Sequence, residues 1–443
     1  MKSAVKLINH ASAKVTLDDV SIISDPWYDG SVFHKGWKLL HELSVEEVIK
    51  HLKNTDYIYI SHEHPDHFSP SFFFNEKYKS IIKKYKTRIL FQETKDKRVL
   101  NFLIKNGFDV IEIPNNKFIT LKNNVKIKII KFGYIDSAII FQGSKHKVLN
   151  LNDCPLNEIN EIKKFKKKHG KFDLLLTQFS YAAWKGNEEN IDYRKAAASE
   201  KLETFINQYK ILECKKAVPF ASFIYFSNKL NSFMNDEINK PHIFQEYFKT
   251  KINSIILAPG EEQHIDDLKQ NDSSIQFWKK KYENVHNLPV ESFEKSIDFE
   301  ILKNEYLKYK DKILKINSKF LIYLSFKLKF LKFFQPINIF LLDHQKSYEF
   351  SLLNGFKESK YKNPDISMHS ESLYFIFKND FGYDTLTVNG CFTASKEGFI
   401  KTTRSFAIGS LNSMGLKLNL NLIFNYNLIF FFLKLLKKVS KKL

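Results

Sequence analysis

The chain has little cysteine and almost no arginine, and each shortage closes off a class of function. Only Cys154, Cys214 and Cys391 occur in 443 residues. Spaced so widely, they make neither a disulfide framework nor a zinc knuckle, which fits a reducing compartment. Of 69 basic residues only Arg88, Arg98, Arg194 and Arg404 are arginine, the side chain that grips bases and phosphates bidentately. The formal net charge of +20 is therefore lysine charge, and it gives no reason to expect specific nucleic acid binding. The lysine-rich run at 163–168 reads as a solvated helix face. Such a field would still favour an anionic small-molecule substrate. Long apolar runs are missing too. Residues 320–342 are interrupted by Lys327, Lys329 and Lys332, and residues 418–433 by Asn419, Asn421, Asn425 and Asn427. Neither reaches the roughly 20 apolar residues of a membrane span. The second run precedes Lys434, Lys437, Lys438, Lys441 and Lys442, so it suits either a membrane interface or a buried element of a second domain. Residues 1–7 enter a strand-like pattern directly, without the apolar stretch of a secretion signal. The expected location is cytoplasmic, with peripheral membrane contact through the 418–443 segment as an option.

What the chain does have is Ser61-His62-Glu63-His64-Pro65-Asp66-His67, directly after Asp56-Tyr57-Ile58-Tyr59-Ile60. The aromatic and β-branched run predicts a short buried strand, which puts the histidines at its C-terminal end. Side chains two apart on a strand face the same way, so His62 and His64 share a side. Pro65 ends the ladder and lets Asp66 and His67 approach from another direction. Two metal positions can be served in this way. Imidazole and carboxylate suit zinc, manganese or iron, and few protein ligands per metal leave room for water that ionises near neutral pH.

The order His-x-His-x-Asp-His resembles the signature of the metallo-β-lactamase superfamily. Three further segments extend the resemblance over roughly residues 1–270. Asn9-His10-Ala11-Ser12 is similar to a strand entry of its lactonase-like and phospholipase-like branches. Asp25-Pro26-Trp27 resembles a segment bordering the active site, and Asp153 ends a strand where the family has its metal-bridging carboxylate. The segment 30–40 with Trp37, Asn150-Leu151-Asn152-Asp153-Cys154 and Gln178-Phe179-Ser180-Tyr181-Ala182-Ala183-Trp184 look nearest to bacterial proteins related to CMP-N-acetylneuraminate and UDP-N-acetylmuramate hydroxylases. Those hydroxylases require a Rieske centre held by Cys-x-His and Cys-x-x-His pairs. None of the three cysteines has a histidine at those offsets, so the chain is no complete hydroxylase. The pattern also departs from the superfamily. A third histidine is expected for the first metal, and residues 131–137 contain none. His146 lies nearby but reads as a solvated hairpin tip. For the late histidine of the family His264 is the candidate, and His10 is an alternative filler of the gap.

The expected architecture is α/β: a metallo-β-lactamase αββα sandwich over residues 1–290 and a C-terminal α/β accessory domain over 291–443. Within it, residues 43–52 read as helix, 87–91 and 125–130 as strands, 138–141 with 147–151 as a hairpin, and 173–178 as a buried strand. The loop 179–184 is either a substrate wall or a packed connection, and the island 368–390 reads as a helix followed by a strand. The resemblance implies two zinc ions, with manganese or iron as alternatives, held by His62, His64, Asp66, His67 and Asp153. A metal-bound hydroxide would attack an ester, lactone or phosphodiester, Asp66 orienting it and His10 or His264 completing the shell or protonating the leaving group. Two other readings stand beside this hydrolase. One is a sugar-nucleotide hydroxylase-like component that takes electrons from a separate partner. The other is a degenerate binding protein.

Overall fold

The computed structural model of the chain describes residues 1–420 apart from positions 329, 331 and 362. Most of the lysine-flanked apolar segment at 418–443 therefore lies outside the described residues.

Tyr57–Ile60 shows how the sequence builds the core. All four residues are buried. Tyr57 and Tyr59 enter one hydrophobic cluster, Ile58 and Ile60 the other, as the two-residue period of a strand requires. This strand lies in a seven-stranded sheet ordered Glu262–His264, Ala4–Asn9, Ser12–Leu17, Val20–Ser24, Tyr57–Ile60, Arg88–Gln92, Val110–Ile113. The pairings are antiparallel up to Val20–Ser24 and parallel beyond it. One face carries Ile8, Ile23, Ile58 and Ile89 against Val48, Leu52, Ile82 and Leu103 of the helices Val45–Leu52, Glu76–Lys84 and Arg98–Lys105. The other carries Leu7, Val15, Ile22, Tyr59 and Leu90 into the cluster shared with the second sheet.

That second sheet has six strands, ordered Lys216–Phe220, Leu174–Gln178, Lys147–Asn152, Asp136–Gln142, Lys126–Phe132, Phe118–Thr120. Ile162, Phe165, Phe205 and Ile206, from the helices Ile159–His169 and Ile191–Ile211, join its core. Helices, two sheets and helices again form the αββα sandwich of the metallo-β-lactamase fold, α/β in class.

A further five-stranded sheet, ordered Gly355–Ser359, Lys346–Ser351, Ile337–Leu341, Ile366–Met368, Phe392–Ala394, lies in the later part of the chain. The island at 368–390 differs from expectation. Ser370–Lys378 is a helix, but Gly382–Asn389 is a second helix rather than a strand. The Thr-Leu-Thr-Val run has strand propensity, and packing overrides it: a Cβ at Gly382 would lie 2.5 Å from the Cα of Ile376. Gly390, at φ +70°, ends the helix in a left-handed cap.

The two parts of the chain interlock at Phe33-His34-Lys35-Gly36. Phe33, His34 and Lys35 all adopt left-handed φ angles of 52°, 54° and 63°. Asn389 Nδ2 donates to the Phe33 carbonyl at 3.1 Å, and Asn231 Nδ2 donates to the carbonyls of Gly36 and Asn389. A Cβ at Gly36 would sit 2.3 Å from the Asn389 Cβ, so only glycine admits this approach. His34 stacks on Phe375 at 4.3 Å.

Candidate metal centre

The sheet topology brings the relevant strand ends to one edge. Asp25 follows Val20–Ser24, and His62 to His67 follow Tyr57–Ile60, which pairs with it in parallel. Across the sandwich, Asp153 follows Lys147–Asn152, and Asp136 begins the neighbouring antiparallel strand. His10 occupies the tight turn between Ala4–Asn9 and Ser12–Leu17 at φ 27°.

Three groups of side chains converge there, with the potential ligand atoms of each lying within 4.8 Å of one another. They are His10, Asp66 and His67; His62, His67 and Asp153; and His62, His64 and Asp136. Asp153 Oδ2 stands 3.6 Å from His67 Nε2 and 4.0 Å from His62 Nε2, between the two outer groups. Asp136 Oδ1 is 3.9 Å from His62 Nε2. His10 Nε2 and His67 Nε2 lie 3.3 Å and 3.2 Å from Asp66 Oδ2.

An outer layer fixes these rings. Asp25 accepts from the Ser61 amide at 2.7 Å and from its hydroxyl at 2.8 Å. Its Oδ2 also lies 2.9 Å from His67 Nδ1. This pair leaves His67 Nε2 as the atom facing the cavity, an orientation typical of histidines that bind metal. Ser61 is held in turn: its carbonyl accepts from Gln92 Nε2 at 3.1 Å and from the Ser137 hydroxyl at 2.5 Å. Trp27 packs edge-on to His10, with ring centroids 5.5 Å apart.

The donor set fits a cation. Buried Asp66 Oδ1 and Asp153 Oδ1 have no hydrogen-bond partner, an expensive condition for polar atoms unless something binds them. The electrostatics agree. Burial pushes the imidazole of His62 well below its ordinary pKa. Burial opposes charge on His67 as well, yet the carboxylates of Asp66, Asp153 and Asp25 outweigh it and raise that pKa. The Asp136 carboxyl is pushed up to about 7 by burial and by the charge of Asp153. Carboxylates that retain protons in this way are sites where positive charge is wanted. Access lies on the Asp136 and Asp153 side, where these side chains are 23% and 25% exposed while those of His62 and His67 are closed off.

His62, His64, Asp66, His67, Asp153 and His10 are thus all brought together. His264 is not. It ends the edge strand Glu262–His264 opposite Ala4, exposed and at the far end of the strand that leads to His10. His146 does lie in the hairpin connection, but it is buried, with Nε2 3.0 Å from Asp266 Oδ1, rather than solvated. Asp136 joins the cluster although no histidine pattern marks it. It sits inside the 131–137 stretch where a third histidine was expected, and a carboxylate there was the available signal. The loop 179–184 is a packed connection: Phe179, Tyr181 and Trp184 are buried, and Trp184 stacks on Phe392 at 4.8 Å.

The sandwich and the cluster at its strand ends define a protein of the metallo-β-lactamase fold with side chains that could hold metal. No family model matches the chain. Cytidine monophosphate-N-acetylneuraminic acid hydroxylase of Sus scrofa is 30% identical over 152 residues, 33% of this chain and 33% of that protein. The inactive cytidine monophosphate-N-acetylneuraminic acid hydroxylase of Homo sapiens is 29% identical over 157 residues, 34% of this chain and 30% of that protein. The match thus spans about a third of the length of these curated relatives. Igni18, a metallo hydrolase from Ignicoccus hospitalis, is similar in structure with a TM-score of 0.42 and 16% identity, covering 59% of this chain and 98% of that one. CmlA, a diiron β-hydroxylase from Streptomyces venezuelae, has a TM-score of 0.38 and 12% identity, covering 59% and 54%.

Proposed function

We propose that the chain is a metal-dependent hydrolase with a binuclear centre, acting on an ester, lactone or phosphodiester of an anionic substrate in nucleotide-sugar or surface-glycan metabolism. The observation that carries this reading is the pair of ligand sets meeting at one carboxylate, Asp153. His62, His64 and Asp136 would hold one metal, and His10, Asp66 and His67 the other. Bound there, the metals, zinc by preference with manganese or iron(II) as alternatives, supply Lewis acidity and an ionisable water. The chain supplies the rest. Asp25 fixes the tautomer of His67, and Asp66, through its unpartnered Oδ1, orients the attacking water. His10 would complete the second set through Nε2, which lies 3.3 Å from Asp66 Oδ2.

A specific observation favours a second reading. With Asp136 in place of a third histidine, His62, His64 and Asp136 make two imidazoles and a carboxylate, the set used by non-haem iron oxygenases, and His10, His67 and Asp66 make another. The hydroxylase relatives support the same direction. In this reading the chain is the substrate-binding, iron-holding component of an oxidoreductase and takes electrons from a separate partner. Metal analysis on protein grown with zinc, manganese and iron together separates the two. About two equivalents of zinc or manganese, with turnover of ester or phosphodiester substrates, supports the hydrolase. Iron, with oxygen consumption only on adding an electron donor, supports the oxidoreductase. No bound metal would overturn both and leave a non-catalytic binding protein.

A further inference from the structure

The helix Lys319–Lys327 is apolar on the side it shows to solvent. Leu321 and Ile322 are buried beneath it. On the outer side Phe320 is 68% exposed, Tyr323 53% and Leu324 39%, and Phe330, just beyond, is 76% exposed. Phe320, Tyr323, Leu324 and Lys327 stand at i, i+3, i+4 and i+7, so they form one stripe. A surface helix ordinarily turns its charged side outward, and a contiguous exposed apolar stripe marks an interaction surface.

A second segment meets this helix. The Ser318 amide donates to the Leu418 carbonyl at 2.8 Å, and the Leu418 amide donates to Asn317 Oδ1 at 2.7 Å. Leu420, two residues on, is 61% exposed. From there the sequence continues through Leu422, Ile423, Phe424 and the run Phe430-Phe431-Phe432-Leu433 to Lys434, Lys437, Lys438, Lys441 and Lys442. The two segments are the longest acid-free stretches of the chain. Residues 312–342 contain lysine and no aspartate or glutamate, and the same is true of 398–443, which adds Arg404. Two acid-free, phenylalanine-rich stretches far apart in sequence are therefore joined at Ser318 and Leu418. Lys319, Lys327, Lys332 and Lys417 are exposed around the join.

We infer that this surface docks on an anionic lipid bilayer, with Phe320, Tyr323, Leu324 and Phe330 entering the headgroup boundary and the surrounding lysines meeting lipid phosphates and carboxylates. Aromatic and leucine side chains framed by lysine, without acids to repel the headgroups, are the composition of an interfacial membrane contact. No helix among the described residues is long and apolar enough to cross a membrane, so the contact lies along the surface. It would hold the enzyme at the layer where lipid-linked or surface-bound anionic substrates are presented.

Flotation of the full-length chain with vesicles tests this. The expected result is co-flotation with phosphatidylcholine vesicles containing phosphatidylserine, little with phosphatidylcholine alone, and release by high salt. Phe320→Ser, Tyr323→Ser and Leu324→Ser together should weaken partitioning by at least about tenfold. Lys319→Gln, Lys327→Gln and Lys417→Gln should each weaken it roughly fivefold. All six positions lie at the surface of the later part of the chain, so metal content and thermal midpoint should stay at wild-type values. No flotation, equal flotation with neutral vesicles, or unchanged flotation of the triple serine variant would each overturn the inference. A wild-type dimer that the triple variant converts to monomer, without vesicle binding, would assign the stripe to a second copy of the chain and overturn it as well.

Discussion

His67 and His64 carry imidazoles into the same cavity, but they are held differently. His67 is buried, and its Nδ1 faces Asp25, itself fixed by the amide and hydroxyl of Ser61. His64 is only partly buried, its Nδ1 lies 2.8 Å from His62 Nε2, and its ring meets Phe33 at 6.0 Å. The second ligand set is thus preorganised by charge-assisted contacts, whereas in the first His64 contacts only an imidazole and an aromatic ring, and the set opens toward solvent at Asp136. Preorganisation of this kind sets affinity, because ordering the ligands costs nothing further when the ion arrives. Under the proposed binuclear reading, the set around His67 would bind its metal more tightly than the set around His64.

The comparison collapses if the shared carboxylate is removed. Asp153→Ala should lose most bound metal from both positions, read by plasma mass spectrometry. Asp25→Ala should act on the second position alone, weakening it about 10–100-fold in chelator competition. It should also lower stability by about 2–4 kcal/mol, because buried Ser61 and His67 donors lose their acceptor. Asp136→Ala should release metal from the first position and spare the second, so that stoichiometry falls by about one equivalent. Asp136→His should retain it. A smaller effect lies outside both positions, at His34, where burial depresses the pKa to about 4. The unfolded chain binds this proton near pH 6.5 and the folded chain only near 4, so His34 makes stability fall as pH drops through that window. His34→Phe, which keeps the stack on Phe375, should flatten part of that slope in thermal melts from pH 7 to 4. His264→Ala should change neither metal content nor turnover, and a loss of either would place the far end of the sheet in the site.

Much of this architecture was legible in local sequence. The alternating Tyr-Ile-Tyr-Ile run before His62 gave the central strand, and 147–151 gave the strand that delivers Asp153. Helix Val45–Leu52 carries its own signal in the Ser44 and Glu47 capping box. What escaped depends on distant partners. The place of His264 is set by its pairing with Ala4, some 260 residues earlier, which no local periodicity records. Asp136 lacks the signature of a clustered histidine, because single aspartates at strand starts are commonplace. His146 is buried and meets Asp266, 120 residues away, a contact that local sequence does not record. The strand-like Thr-Leu-Thr-Val run becomes a helix through contact with its neighbour.

The fit of Gly36 against Asn389 also bears on the order in which the protein is made. Phe33, whose ring meets His64, has its backbone carbonyl bound by a side chain 356 residues further along. At ribosomal speeds of about 5–20 residues per second, the later residue is made roughly 20–70 s after the earlier one. The strand before His62 is made well before Asn389, so until the later residue appears the Phe33 carbonyl lacks the side chain that binds it. The contact beside His64 is thus among the last parts of the fold that synthesis can complete.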